Sequence, residues 1–166
     1  MSLNFTQFHA GVVVPALQSL EPYIKFSPDA DVLVSETIWH ESDKLTALGQ
    51  YPRAGTTEQA PFGPGLGVAS IERPTWKWMC ETQMGRRLGL WGEDYNRLVW
   101  NLRLNVIACR LRYYSDKEPL PPGDLGDDDA LKARAAYWLR VYNGSQVWER
   151  MGHYITNAKA IPWEQL

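Results

Sequence analysis

The sequence predicts an all-α protein, and three observations lead there. Alternating apolar–polar runs of the strand kind are nearly absent from its 166 residues. The clearest periodic segment, EDYNRLVWNLRLNVIACRLRYYS at 93–115, instead places Leu98, Leu102, Val106 and Cys109 at helical spacing. Helix start signals stand where such segments open, above all in SPDAD at 27–31. A small hairpin around residues 50–67 is the one place where strands could lie.

Element by element, residues 5–21 read as a first helix with Val12, Val13, Ala16, Leu17 and Leu20 on its apolar face. Pro15 must kink it or mark its true first turn. Ser27 then serves as N-cap, Pro28 takes the first helical position, and Asp29 and Asp31 supply negative charge to the first turn. The helix they open is expected over 28–48. GQYPRAGTTEQAPFGPGLG, residues 49–67, cannot be continuous helix and has the length of a functional loop. A third helix begins at Pro74 or Thr75 and reaches Met84; the fourth and longest fits 93–115. LPPGDLGDDD is a loop, and its acidic run supplies the N-terminal charge of a fifth helix over 128–142. That run lacks the spacing of an EF-hand loop, so it is not read as a metal site. A short helix over about 145–158 ends the chain.

Composition narrows the function classes. The length suits a single domain, 1–166, with 45% apolar and 22% charged residues as in ordinary globular proteins. A formal net charge of −2 gives no electrostatic case for nucleic acid or an anionic membrane as main partner. Cys80 and Cys109 are too few for a disulfide framework, lack metal-ligand spacing, and read as buried apolar residues. The opening MSLNFTQFHAGVVVPAL has neither a basic n-region nor a long apolar run, so no signal peptide or membrane span is expected. Eight tryptophans and eight tyrosines suit core packing and also contact with sugar rings, because each ring has an apolar face and a polar edge.

The chemistry concentrates in SETIWHES, residues 35–42. On a wheel of about 100° per residue, Val34, Ile38, Glu41 and Leu45 fall within roughly 60° of one another. Glu41 therefore belongs to the inward stripe, while Glu36 and Asp43 fall opposite as ordinary surface charges. His40 points about 100° from Glu41 and reads as a surface or boundary residue. A carboxyl in low dielectric has a raised pKa and can donate a proton near neutrality, as a departing glycosidic oxygen requires. The alternative is a structural Glu41 paired to an arginine of the fourth helix.

Several motifs follow in a telling order: Glu41-Ser42, Gly65-Leu66-Gly67, Ile71, Pro74-Thr75, Asn101 and Tyr142-Asn143-Gly144. That order resembles lytic transglycosylases, lysozyme-like enzymes that cleave the glycan strands of peptidoglycan. GPGLGVASIERPTW, CRLRYYSDKEPLPPGDL and YWLRVYNGS look closer still to small lysozyme-like proteins of tailed bacteriophages, over roughly residues 28–148. The resemblance implies a lysozyme-like α-helical domain with Glu41 as single catalytic acid/base and no metal or organic cofactor. It implies that the sugar's own 6-hydroxyl attacks the anomeric carbon and leaves an anhydro product. Tyr142 would sit in the cleft near Glu41 and Asn143 would hold its turn, with Thr75 also at the substrate. The backbone from Gly65 through Gly67 to Ser70 would form a wall along the sugar chain.

Two positions depart from the family pattern. Ser70 stands where the family usually has Gln, which removes an amide from the substrate's reach. Glu72 adds a carboxylate; pointing inward at about 6.5–9.5 Å from Glu41 it would position water for an inverting hydrolase. An outward-pointing Glu72, a surface charge, is the expected case. The implied partners are peptidoglycan strands and other virion proteins, with no nucleic acid and no membrane insertion. The implied setting is a phage virion, or the host cytoplasm before release, with action at the cell wall. Two rivals remain: a structural virion protein on a catalytically decayed fold, and a glycan-binding module that does not cut. An open cleft at Glu41 favours the enzyme; a filled cleft or a salt-bridged Glu41 favours the structural part.

Overall fold

Helices dominate the computed structural model, which describes residues 4–48 and 64–166. Phe5–Phe8, His9–Val13 and Val14–Gln18 follow without a break as one rod, α1. Pro15 lacks an N–H and crowds the carbonyl four residues back. The chain absorbs this in a π-helical turn over His9–Val13, where the Val14 N–H donates to His9 O, so the helix is neither broken nor started there. Val13, Ala16, Leu17 and Leu20 are buried as expected.

The second helix, α2, spans Pro28–Glu41, with Ser27 Oγ accepting from the Ala30 N–H at 3.1 Å. It ends seven residues before the expected position 48. Ser42 Oγ donates to Ile38 O at 2.6 Å and accepts from the Leu45 N–H at 2.9 Å, drawing the chain away from the helix axis. Asp43, Lys44 and Leu45 then adopt φ of 46°, 60° and 63°, a left-handed run without a glycine. Each such residue costs about 1–2 kcal/mol.

Residues 49–63, with most of the expected 50–67 hairpin, lie outside the described residues. The hairpin that is described pairs β1 (Gly65–Leu66) antiparallel with β2 (Ile71–Glu72). Helix α3 spans Arg73–Glu81 and α4 spans Gln83–Arg87. The expected single helix to Met84 divides at Thr82, whose extended backbone ends α3 and whose Oγ1 caps α4 by accepting from the Gly85 N–H at 2.9 Å. The expected 93–115 helix also divides. Asp94 caps a 3-10 turn over Tyr95–Val99, and Asn101 N-caps α5 (Leu102–Tyr114), its Oδ1 accepting from the Leu104 N–H at 3.0 Å. Helix α6 spans Asp128–Tyr137 and runs into a π-helical turn over Trp138–Asn143, closed by left-handed Gly144 at φ 65°. Asp127 caps α6, Asp128 pairs with Lys159 and Asp129 with Lys132, so the acidic run serves the helix start. Helix α7 spans Glu149–Lys159, four residues later than expected at its start.

α2 runs through the middle, packed by α1 and α5 on one side and α7 on the other. From Ala30 to Ile38 it is buried around nearly its whole circumference except at Asp31. Two hydrophobic clusters result. The larger joins α1, α2, α3, α5 and the hairpin; the smaller holds Leu131, Ala135, Trp138, Leu139, Tyr154 and Ala158 between α6 and α7. Cys80 and Cys109 are free and buried, as read from the sequence. Among the described residues no helix is long and apolar enough to cross a membrane.

Candidate active site

Glu41 is the last residue of α2, partly buried, and faces the hairpin and the end of α6. A cleft of about 180 Å³ opens there, bringing together Glu41, Ser70, Glu72, Thr75, Tyr142 and Asn143. These are six of the eight residues singled out in the sequence. Gly65 and Gly67 do not line it. Gly65 is buried in the pairing with Glu72. Gly67 has φ +74°, and a Cβ on it would stand 1.9 Å from Asn105 Oδ1 and 2.4 Å from Leu98 O. Its glycine is thus demanded by packing against Asn105 and the Leu98 carbonyl.

Two residues that sequence reasoning passed over hold this region. Asn105, fully buried, donates through Nδ2 to Leu98 O at 2.6 Å and to Asn101 O at 3.0 Å; its Oδ1 accepts from the Ala69 N–H at 3.3 Å. The turn between the two strands is thereby fastened to α5. Arg112 lines the cleft beside Ile71. An amide among the apolar positions of α5 was the available signal for Asn105; nothing in one dimension separates Arg112 from Arg110.

No ion pair holds Glu41 among the described residues, so the salt-bridge alternative is not what the structure contains. The carboxylate instead accepts one hydrogen bond, from Trp138 Nε1 at 3.1 Å. Burial pushes its carboxyl up to about 7. The Trp138 N–H and the Arg150 charge pull the other way, and the nearby Glu72 charge adds to the rise. Glu72 is exposed, as expected of a surface charge, and also lines the cleft.

Tyr142 lines the cleft, with its hydroxyl donating to Ala69 O at 2.5 Å, which ties the π-helical turn to the hairpin loop. Burial holds that phenol well above its ordinary range, so it stays a neutral donor. Asn143 Oδ1 accepts from Arg150 at 3.0 Å and fixes the turn to α7. Ser70, at φ 47°, turns its hydroxyl onto the Glu41 carbonyl at 3.2 Å. It thereby latches the hairpin onto the end of the helix that carries Glu41.

Glu36 corrects the wheel. It is 1% exposed, held bidentately by Arg134 with both contacts at 2.9 Å, and accepts from the Tyr154 hydroxyl at 3.1 Å. The wheel assumed one buried face, whereas α7 and α6 cover the other. His40 takes the boundary position read for it: half-buried, it lies between Trp138 and Tyr154, with centroids at 4.7 and 5.4 Å, and its Nδ1 meets Asn157 at 3.0 Å. Burial first, then the His153 charge, pushes its pKa down to about 4.

A partly buried carboxyl that is protonated near neutrality, in a polar cleft flanked by a second carboxyl, is equipped for proton transfer to an ether or acetal oxygen. No protein-family model matches the chain, and neither a curated protein nor a solved structure is significantly similar to it.

Proposed function

We propose that this protein cleaves the glycan strands of peptidoglycan, with Glu41 as its single general acid/base. The supporting observation is the state of Glu41: unpaired with any described cation, raised to about 7, and open to the cleft. In this reading Glu41 gives its proton to the glycosidic oxygen as the C1–O bond breaks. The resulting carboxylate then takes the proton of the nucleophile that bonds to C1. When that nucleophile is the sugar's own 6-hydroxyl, the product is an anhydro sugar; when it is water, the product is a reducing end and Glu72 orients the water. The protein acts at the bacterial wall, carried in a phage virion or released from the host cytoplasm.

Digestion of purified peptidoglycan, with products identified by mass spectrometry, tests this. The native protein is expected to release anhydro-muropeptides, and Glu41→Gln to lose about 10²–10⁴-fold in rate. Reducing-end products would make it a lysozyme and bring Glu72 into the reaction. A second reading, a structural virion component, draws support from Trp100 and Trp148, which are 66% and 67% exposed and suit interface anchors. A folded native protein that releases nothing from accessible strands would favour it.

A further inference from the structure

The Glu41 cleft is too small for a polymer. Ligand sites usually enclose about 300–1,000 Å³, and the cleft of about 180 Å³ holds little more than the reacting ring. Binding energy for the reacting centre is drawn from contacts to remote parts of a substrate, so such contacts must lie elsewhere on the surface.

A second pocket of about 530 Å³ lies on the adjoining side of the same helix. Thr75, in the first turn of α3, lines the Glu41 cleft; Arg73, Trp76 and Lys77 of the same turns line the second pocket. Its floor is made by Trp76 and Tyr95, whose polar atoms are already used. The Trp76 N–H donates to Glu93 O at 3.3 Å, and the Tyr95 hydroxyl reaches Pro64 O and Ile71 O at 2.8 and 2.7 Å. Both residues are thus satisfied and nearly enclosed, with the Arg73 guanidinium 4.5 Å from the Tyr95 ring centre. At the rim Trp91 is 60% exposed, with the Arg86 guanidinium 4.3 Å from its ring centre. Around it stand charges of both signs: Arg73 and Lys77, with Glu81, Glu93 and Asp94.

Donors and acceptors set side by side create little net field. They suit a neutral ligand rich in hydroxyl and amide groups better than an ion, and an exposed indole suits the apolar face of a pyranose. We propose that this pocket is a glycan-binding subsite that takes N-acetylhexosamine units of the strand whose scissile bond lies at Glu41. The inference rests on the proposed glycan-cleaving function and names where the remainder of the substrate is held.

Two tryptophan side chains report separately on the two places. The Trp138 indole N–H is bonded to Glu41, and the Trp91 indole stands at the second pocket. Indole ¹⁵N–¹H spectra of Glu41→Gln protein, titrated with N-acetylglucosamine tetramer and with peptide-free glycan strands, are expected to shift both resonances in a saturable way. Trp91→Ala, at an exposed position, is expected to weaken strand binding at least about tenfold while leaving the Trp138 shift at saturating ligand. Movement of Trp138 alone, with unchanged affinity in Trp91→Ala, overturns the subsite and leaves the glycan-cleaving reading standing. Movement of Trp91 alone leaves a glycan-binding pocket but removes glycan from the Glu41 cleft, and so overturns the cleaving reading and the pocket's place in it. No shift at either resonance overturns both.

Discussion

Glu36 and Glu41 stand five residues apart on one helix, and burial raises the pKa of both carboxyls. What separates them is the partner. Arg134 returns a full charge and two hydrogen bonds to Glu36, whereas Glu41 receives one indole N–H. Glu36 is thereby a structural anchor, and Glu41 is left able to hold and release a proton. Because the Trp138 N–H stabilises the carboxylate form, its removal raises the Glu41 pKa further. Trp138→Phe is therefore expected to move the basic limb of the pH–rate profile upward, with a lower maximal rate as the carboxyl loses its orientation. A profile with an unmoved basic limb would show that Trp138 only fills space.

Helix interiors were legible from apolar spacing, and helix ends were legible where a cap stands in the sequence. Ser27-Pro28 and Gly144 gave the start of α2 and the close of α6's π-helical turn. The end of α2 was not legible, because Asp43, Lys44 and Leu45 include no glycine and yet turn left-handed, within a set of local hydrogen bonds around Ser42. Thr82 and Asn101 were missed for a different reason: each caps the next helix from within a continuous apolar period. Glu36 was misplaced because a wheel cannot know that a helix is covered on two sides. The same Arg134 also donates to Pro122 O at 2.7 Å and Asp124 O at 3.3 Å, so the loop before α6 hangs on this pair. Arg134→Leu leaves a buried carboxylate and two carbonyls without partners, and is expected to cost about 3–5 kcal/mol in denaturant unfolding. Adding Glu36→Leu should recover much of that loss, since apolar replacement of both partners is often near neutral. A double variant no more stable than the single one would show that the pair is not the anchor of this loop.

At the scale of the molecule, the candidate site lies on the seam between the two hydrophobic clusters. Tyr142 packs against both, and Trp138 reaches from the smaller one to Glu41. Such a seam lets a carboxyl be enclosed by two cores while one edge stays open, and the enclosure has a cost. The Glu41 pKa is 4.5 ordinarily and about 7 in the fold, so the folded state binds the proton more tightly. Its contribution to stability is full below 4.5 and declines as pH rises to about 7; above that it is lost, by about 3 kcal/mol at one pKa unit per 1.36 kcal/mol. His40 runs the opposite way. Its pKa falls from 6.5 to about 4 in the fold, so stability declines as pH drops through that interval. Between pH 4.5 and 6.5 the two slopes oppose each other, which flattens the native profile. Glu41→Gln keeps a carbonyl for the Trp138 N–H and removes one slope. Its stability relative to the native protein is expected to rise with pH from 4.5 to 7, reaching about 3 kcal/mol in favour of the variant. Urea unfolding of both proteins at half-unit pH steps measures this directly. A difference that stays constant with pH would mean that Glu41 titrates as an ordinary surface carboxyl, and the proton donor would have to be sought at Glu72.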